Sequence, residues 1–170
     1  LISGPTNLRS PEGVKIFNVN SADEMYEKTI KNLPVDVAIF TAAVCDFRAK
    51  QINFDKIKKE NLEKIEILKT KDILDYTSKH NKLRPKLVIG FAAETSNIDE
   101  NSKNKLANKN CDWIVANDVS NKKIGFDSEY NEVKIFQRNK PNIEKISVTT
   151  KEMIARKLVE KISYELKADG

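Results

Sequence analysis

The apolar residues of this chain fall into runs of two kinds. "VDVAIFTA" (35–42), "KLVIGFAA" (86–93) and "DWIVAN" (112–117) are nearly continuous, the pattern of strands buried on both faces of a parallel sheet. Between them lie segments with helical signals. "SADEMYEKTIKNL" (21–33) opens on Ser21 with Glu24 three residues on, a capping box. "KDILDYTSKHN" (71–81) and the polar "DENSKNKLANKN" (99–110) predict two more helices, and "KIFNV" (15–19) and "KIEILK" (64–69) two short strands. After Asn117 the style changes. "GFDSEYNEVKIFQRN" and "PNIEKISVT" predict an antiparallel pair, Val133 and Ile135 alternating with Glu132 and Lys134. "TTKEMIARKLVEKISYELK" predicts a closing amphipathic helix, capped by Thr149 with Glu152, its apolar face formed by Met153, Leu158, Ile162 and Leu166. The alternation of strands and helices predicts an α/β fold. Its sheet is Rossmann-like, mainly parallel with right-handed crossovers, flanked by helices and continued by an antiparallel strand extension.

Length and composition narrow this picture. At 170 residues the chain is one domain, 1–170, and 39% apolar with 32% charged residues suits a packed core rather than disorder. No run approaches the length of a membrane span and no signal peptide is visible. Leu1 is not a natural start, so the expectation is a domain truncated at its N-terminus, beginning in mid-strand. Cys45 and Cys111, with His80 the single histidine, lack metal-site spacing, so no metal-ligating set is assigned. Unpaired cysteines point to a reducing, cytoplasmic compartment. Cys45 beside Asp46 could be a nucleophile, or a small residue filling a strand end. The 30 Lys and Arg exceed the 25 Asp and Glu by 5, but the charges are interleaved, and charge alone selects no partner.

Candidate chemistry gathers at strand ends. "TAAVCDFR", "GFAAET" and "ANDVS" each put small residues and then a carboxylate or amide after an apolar run. Any one of them is an ordinary turn. Three on one sheet edge mark a ligand site, because ligands of such sheets bind beyond the carboxyl ends of the strands. Lys105 and Lys109 share a helix face, and neither has an acid four residues before it. They form either a solvated face or a site for an anion. "DKIKKENLE" (55–63) lies in the long connection after "AAVCDFRAK", as a lid or a mobile basic loop. There is no P-loop and no GxGxxG, so phosphates would fall to cationic side chains.

In this order, "AAVCDFRAK", "KIKK", "GFAAET", the spaced Lys105 and Lys109, "ANDVS" and "GFDSEYNEV" resemble phosphopantothenoylcysteine synthetase of the bacterial, CTP-using type. The opening "LISGPT" and "VNSADEMYE" fit the same family. The resemblance implies a ligase of coenzyme A biosynthesis. The carboxylate of 4′-phosphopantothenate attacks the α-phosphate of CTP, pyrophosphate leaves, and the amine of L-cysteine displaces CMP from the acyl-cytidylate. It further implies Mg²⁺ with the nucleotide, a homodimer formed through the extension around "EVKIFQRN", and a fused upstream decarboxylase that holds FMN outside this chain. Residue by residue, it implies that Phe40, Thr41 and Ala42 hold the nucleotide through their backbone and that Asp46 contacts its sugar or base side. Lys56 is the catalytic lysine of a flap. Lys71, Asp72, Ile73 and Leu74 form a nucleotide-contacting helix start, with Lys71 where the family has proline. Phe91 packs on the nucleotide, and Lys105 and Lys109 bind the triphosphate. Cys45 stands where relatives have alanine, and Phe47 where they often have tyrosine. The family's first strand, glycine loop and the asparagine of the acyl-cytidylate step would precede Leu1.

Two rival classes remain. One is a basic nucleic-acid-binding domain, disfavoured because Phe40, Phe47, Phe91 and Trp113 do not cluster along the sequence as a stacking platform. The other is a fragment of a dinucleotide-dependent oxidoreductase, weakened by the missing glycine fingerprint.

Overall fold

The structure, a computed structural model, describes residues 1–51, 55, 58, 64–120 and 128–168. In chain order the elements are β1 (Ile2–Ser3), β2 (Phe17–Asn18), α1 (Ala22–Lys31), β3 (Val37–Phe40), β4 (Phe47–Ala49), β5 (Ile67–Lys69) and α2 (Ile73–Ser78). They continue with β6 (Leu87–Glu94), α3 (Ile98–Lys109), β7 (Trp113–Asp118), β8 (Tyr130–Gln137), β9 (Lys140–Thr150) and α4 (Lys151–Ala168). None of the helices among the described residues is long and apolar enough to cross a membrane.

The three apolar runs become β3, β6 and β7, parallel neighbours in a five-stranded sheet ordered β3-β6-β7-β8-β9. β8 and β9 continue it antiparallel, as their alternation predicts. Successive side chains of a strand leave opposite faces, and this sorts the core into two layers. Leu87, Ile89, Trp113, Val115, Val133 and Ile135 pack under Ile154, Leu158 and Ile162 of α4. Val88, Ala92, Ile114, Ala116 and Phe136 pack under Leu74, Ile98 and Leu106, which come from α2 and α3. The fold is thus α/β in three layers, with the parallel half of the sheet presenting its strand ends on one edge.

Several expectations need correction. β3 is not buried on both faces; it is the edge strand of the sheet, and Ile39 is 47% exposed. β1 and β2 form their own parallel pair, so among the described residues nothing pairs with the outer edge of β3. Phe47–Ala49, expected to be a loop, pairs antiparallel with Ile67–Lys69 as a small exposed ribbon. The helix expected over 71–81 is the short Ile73–Ser78, because Asp72 caps it by accepting from the Asp75 N–H at 2.8 Å. α4 is capped by Thr150, whose Oγ1 accepts from the Met153 N–H at 3.2 Å, rather than by Thr149. Its buried face carries Ile154, while Met153 is 44% exposed. The capping box of α1 does form: Ser21 Oγ accepts from the Glu24 N–H, and Glu24 reaches back to the Asn20 N–H at 2.7 Å.

Candidate functional site

Along the outer edge of β3, from Val35 to past the carboxyl ends of β3 and β6, runs an open groove of about 560 Å³. One wall is the edge of β3 with the residues that follow it, Phe40, Thr41, Ala42 and Asp46. The far wall is the β1–β2 pair with α1, contributing Ile2, Phe17 and Met25. The floor and rim come from Lys71, Asp72, Ile73 and Leu74 at the start of α2, from Phe91 on β6, and from Lys105 and Lys109 on α3. All eleven described residues singled out in the sequence for a nucleotide line this one groove. Lys56 lies outside the described residues.

Local chemistry explains how these segments are brought together. Gly90 on β6 lets α2 approach: a Cβ there would stand 2.6 Å from Leu74 Cδ2 and 3.0 Å from Ile114 Cδ1. The C-terminal turn of α3 is fastened to that of α2, with Ser78 Oγ donating to the Lys109 carbonyl and Asn110 Nδ2 donating to the Ser78 carbonyl at 3.2 Å. Arg84 completes the clamp. Its guanidinium donates to the carbonyls of Ser78, Pro85 and Asn110 and to both oxygens of Asp112, and Asp112 also accepts from the Val88 N–H at 2.7 Å. On the other side, Thr70 fixes the groove end of the β4–β5 ribbon by donating to the carbonyls of Asp46 and Cys45.

The two lysines of α3 are not equivalent. Lys109 Nζ donates to Asp72 Oδ2 at 2.6 Å, an ion pair across 37 residues of sequence that helical spacing gave no means of seeing. For Asp72, partial burial alone would raise its carboxyl. The hydrogen bonds from Lys109 and the Asp75 N–H, with the charges of Lys109 and Lys105, outweigh burial and hold it below the usual carboxylate range. The hydrogen bond to Asp72 likewise pushes Lys109 above the ordinary lysine value; burial opposes this, and the charges of Asp72, Asp75 and Asp46 add to it. Lys105, one turn earlier, lines the same groove. Arg48, two residues after Asp46, pairs with Asp23 of α1 at 3.1 Å.

The groove therefore offers strand-end backbone, small residues that admit close approach, aromatic and aliphatic surface, and two cations on one side. This is a set suited to a phosphorylated ligand with a flat apolar part. A second depression, about 480 Å³, lies at the start of α3 and is lined by Asp99, Glu100, Asp118 and Lys134. Its one lysine is already paired with Asp99 at 2.7 Å, so it repels an anion. Trp113 is 2% exposed and buried under α4, which removes it from any base-stacking platform. Sequence reasoning missed Asp72 as the partner of Lys109 and missed the β1–β2 pair as a wall. The strand at 15–19 is predicted, but its pairing with Ile2–Ser3 apart from the main sheet depends on partners that sequence pattern does not specify.

Residues 1–166 match the family model of the DNA/pantothenate metabolism flavoprotein C-terminal domain. The chain is 39% identical over 168 residues to the coenzyme A biosynthesis bifunctional protein CoaBC of Borreliella burgdorferi, covering 96% of this chain and 41% of that protein. It is 38% identical over 164 residues to the protein of the same name from Haemophilus influenzae, covering 95% and 40%. The chain thus spans about two fifths of the length of these curated relatives. The crystal structure of the C-terminal domain of a coenzyme A biosynthesis bifunctional protein CoaBC superposes with a TM-score of 0.75 at 34% identity, covering 98% of this chain and 74% of that one.

Proposed function

Because the chain belongs to the DNA/pantothenate metabolism flavoprotein C-terminal domain family, we propose that it carries the ligase step of coenzyme A biosynthesis, joining 4′-phosphopantothenate to L-cysteine with CTP as the activating nucleotide. In this reading the carboxylate of phosphopantothenate attacks the α-phosphorus of CTP and the bond to the β-phosphate oxygen breaks, releasing pyrophosphate. The cysteine amine then adds to the acyl carbon, loses its proton, and CMP departs with the bonding pair. The fused decarboxylase and its FMN belong to another part of the full-length protein.

The groove residues, together with Lys56 from outside the described residues, would share this chemistry. The backbone of Phe40–Ala42 would hold the cytidine, and Ala42 is small enough to let the sugar approach. Asp46 would accept from the sugar or base. The backbone at Lys71–Leu74 and the ring of Phe91 would complete the pocket. Lys105 and Lys109 would neutralise the β- and γ-phosphates, which makes pyrophosphate a better leaving group, and Lys56 would close over the transferring phosphate. Mg²⁺ suits this donor set, since that ion is bound through one or two carboxylates and substrate phosphates, and Asp46 supplies a carboxylate on the groove wall. When bound it would add neutralising charge at the phosphates.

The observation that carries the reading is convergence. Eleven residues assigned from four separate segments by resemblance to a CTP-using family line one groove, which runs along the edge of β3 to the sheet's strand ends. The test is an assay of the full-length protein for pyrophosphate and CMP release, each dependent on phosphopantothenate and the second also on cysteine. Faster pyrophosphate release with ATP than with CTP at matched concentrations would overturn the nucleotide assignment. Release that ignores phosphopantothenate would overturn the reaction.

A further inference from the structure

We propose that Asp72 is a positioning residue that competes with phosphate for Lys109, holding the lysine in place while the groove is empty and helping to expel pyrophosphate once it has formed. The inference rests on the ligase reading for the identity of the departing anion. The competition itself rests on the geometry of the groove.

Three features lead to it. Lys109 is held at both ends, by the contact of its carbonyl with Ser78 Oγ and by its Nζ with Asp72 at 2.6 Å, so its ammonium is fixed at the groove wall. Asp72 is fixed as firmly, because its other oxygen caps α2 through the Asp75 N–H at 2.8 Å. Both side chains line the groove, and the pair remains partly open to solvent, with side-chain exposures of 28% for Lys109 and 42% for Asp72. An anion arriving there meets one lysine already neutralised. To engage Lys109 fully it must displace a carboxylate that cannot move far, since moving would uncap the helix. A triphosphate that is also held by Lys105 and by nucleoside contacts offsets that competition. Free pyrophosphate has lost the nucleoside contacts, so the carboxylate regains the lysine more readily.

The experiment is the variant Asp72→Asn in the full-length protein. Asparagine caps helices as well as aspartate does, so α2 keeps its cap while the counter-charge disappears. Calorimetric titration with inorganic pyrophosphate should show about three- to tenfold tighter binding than wild type, the range for a charge-assisted contact that is partly exposed. In steady state, pyrophosphate should become a correspondingly stronger product inhibitor. In a Lys109→Ala background the same Asp72→Asn change should leave pyrophosphate affinity unaltered, a coupling that a merely structural cap would not produce. An unchanged or weakened affinity in Asp72→Asn with its melting temperature retained, an equal effect in both backgrounds, or no pyrophosphate binding by either protein would overturn the proposal. Failure of the ligase reading looks different: CTP would then bind no more tightly than tripolyphosphate, whatever residue 72 is.

Discussion

At the residue scale, Lys109 and Cys45 make the groove measurable. On the proposed assignment, replacing Lys105 or Lys109 by alanine should weaken CTP more than CMP, because their partners would be the outer phosphates. A charge-assisted contact contributes about 1.5–3 kcal/mol, or about 10- to 150-fold in affinity. Equal losses for the two nucleotides in a binding titration would put these lysines elsewhere. The two thiols provide an independent check. Cys45 is exposed and lines the groove, whereas Cys111 is fully buried and its thiol is pushed up to about 11, chiefly by that burial. A thiol reagent at pH 8 should therefore label Cys45 alone in the native protein, and saturating CTP should slow that labelling. Labelling unaffected by CTP would place the nucleotide away from the strand end. The Cys111 shift also fixes a sign. A folded-state value above the unfolded one means that its contribution to stability is fully present below about pH 9 and is lost as pH rises through about 11.

At the scale of elements, the start of α2 is held against the sheet by Gly90 and the Arg84 clamp, and each can be tested. Gly90→Ala forces Leu74 and Ile114 aside in a packed layer, which costs about 1–3 kcal/mol. Because Leu74 is a groove residue, CTP affinity should fall along with the melting temperature. Arg84→Ala removes the cation that pairs with Asp112 and a donor shared by three carbonyls, leaving Asp112 only the Val88 N–H, and the loss should be about 2–4 kcal/mol in chemical denaturation. A destabilisation below 0.5 kcal/mol, on the order of an ordinary surface change, would show the clamp to be unimportant. The β4–β5 ribbon has a different task. Its groove end is pinned by Thr70, and the segment between its two strands contains Lys56. If Lys56 acts as the family resemblance implies, Lys56→Ala should lower kcat more than it raises the ground-state Kd for CTP, since its contact would form in the transition state. A variant with wild-type kcat would remove Lys56 from the mechanism.

At the scale of the molecule, two edges of the sheet system differ in what they offer. β8, expected to mediate a homodimer, is paired on both sides, so its backbone has no free edge; the outer edge at that end is β9. A dimer built on the extension would use β9 or the faces of the pair, and light scattering of the full-length protein should give twice the chain mass if it forms. The other edge is β3, whose outer side faces the groove and the separate β1–β2 pair. A strand edge that carries a half-exposed isoleucine is a site for pairing with another strand. Ile39→Lys, which puts a charge on that edge, should therefore aggregate less readily than the unaltered chain at equal concentration, as read by turbidity on mild heating. Equal behaviour would show that this edge is adequately covered.

Much of this architecture was legible along the chain, and for a physical reason. Continuous apolar runs reflect burial on a parallel sheet, so β6 and β7 appear where the pattern puts them, and alternation reveals the antiparallel pair. Ser21 and Glu24 act within one turn of each other, which makes their capping box a local fact. That "TAAVCD" and "GFAAE" share one edge was also readable, because each follows an apolar run and the two runs pair in parallel. Tertiary structure decided what depends on distant partners. Met153 and Ile154 are both apolar and adjacent, and only docking of α4 on the sheet chose Ile154. β5 lies inside the predicted "KIEILK", but its partner β4 is held through backbone bonds with its side chains exposed, so no hydrophobic pattern marks it. β3 looks like a central strand in sequence because its run is apolar, yet an edge position depends on which strands pair with it. The charge of Lys109 could be counted in the sequence, but its pairing with Asp72 arises only when α2 and α3 are fastened at their C-terminal turns, which brings together residues that no helical or strand period connects.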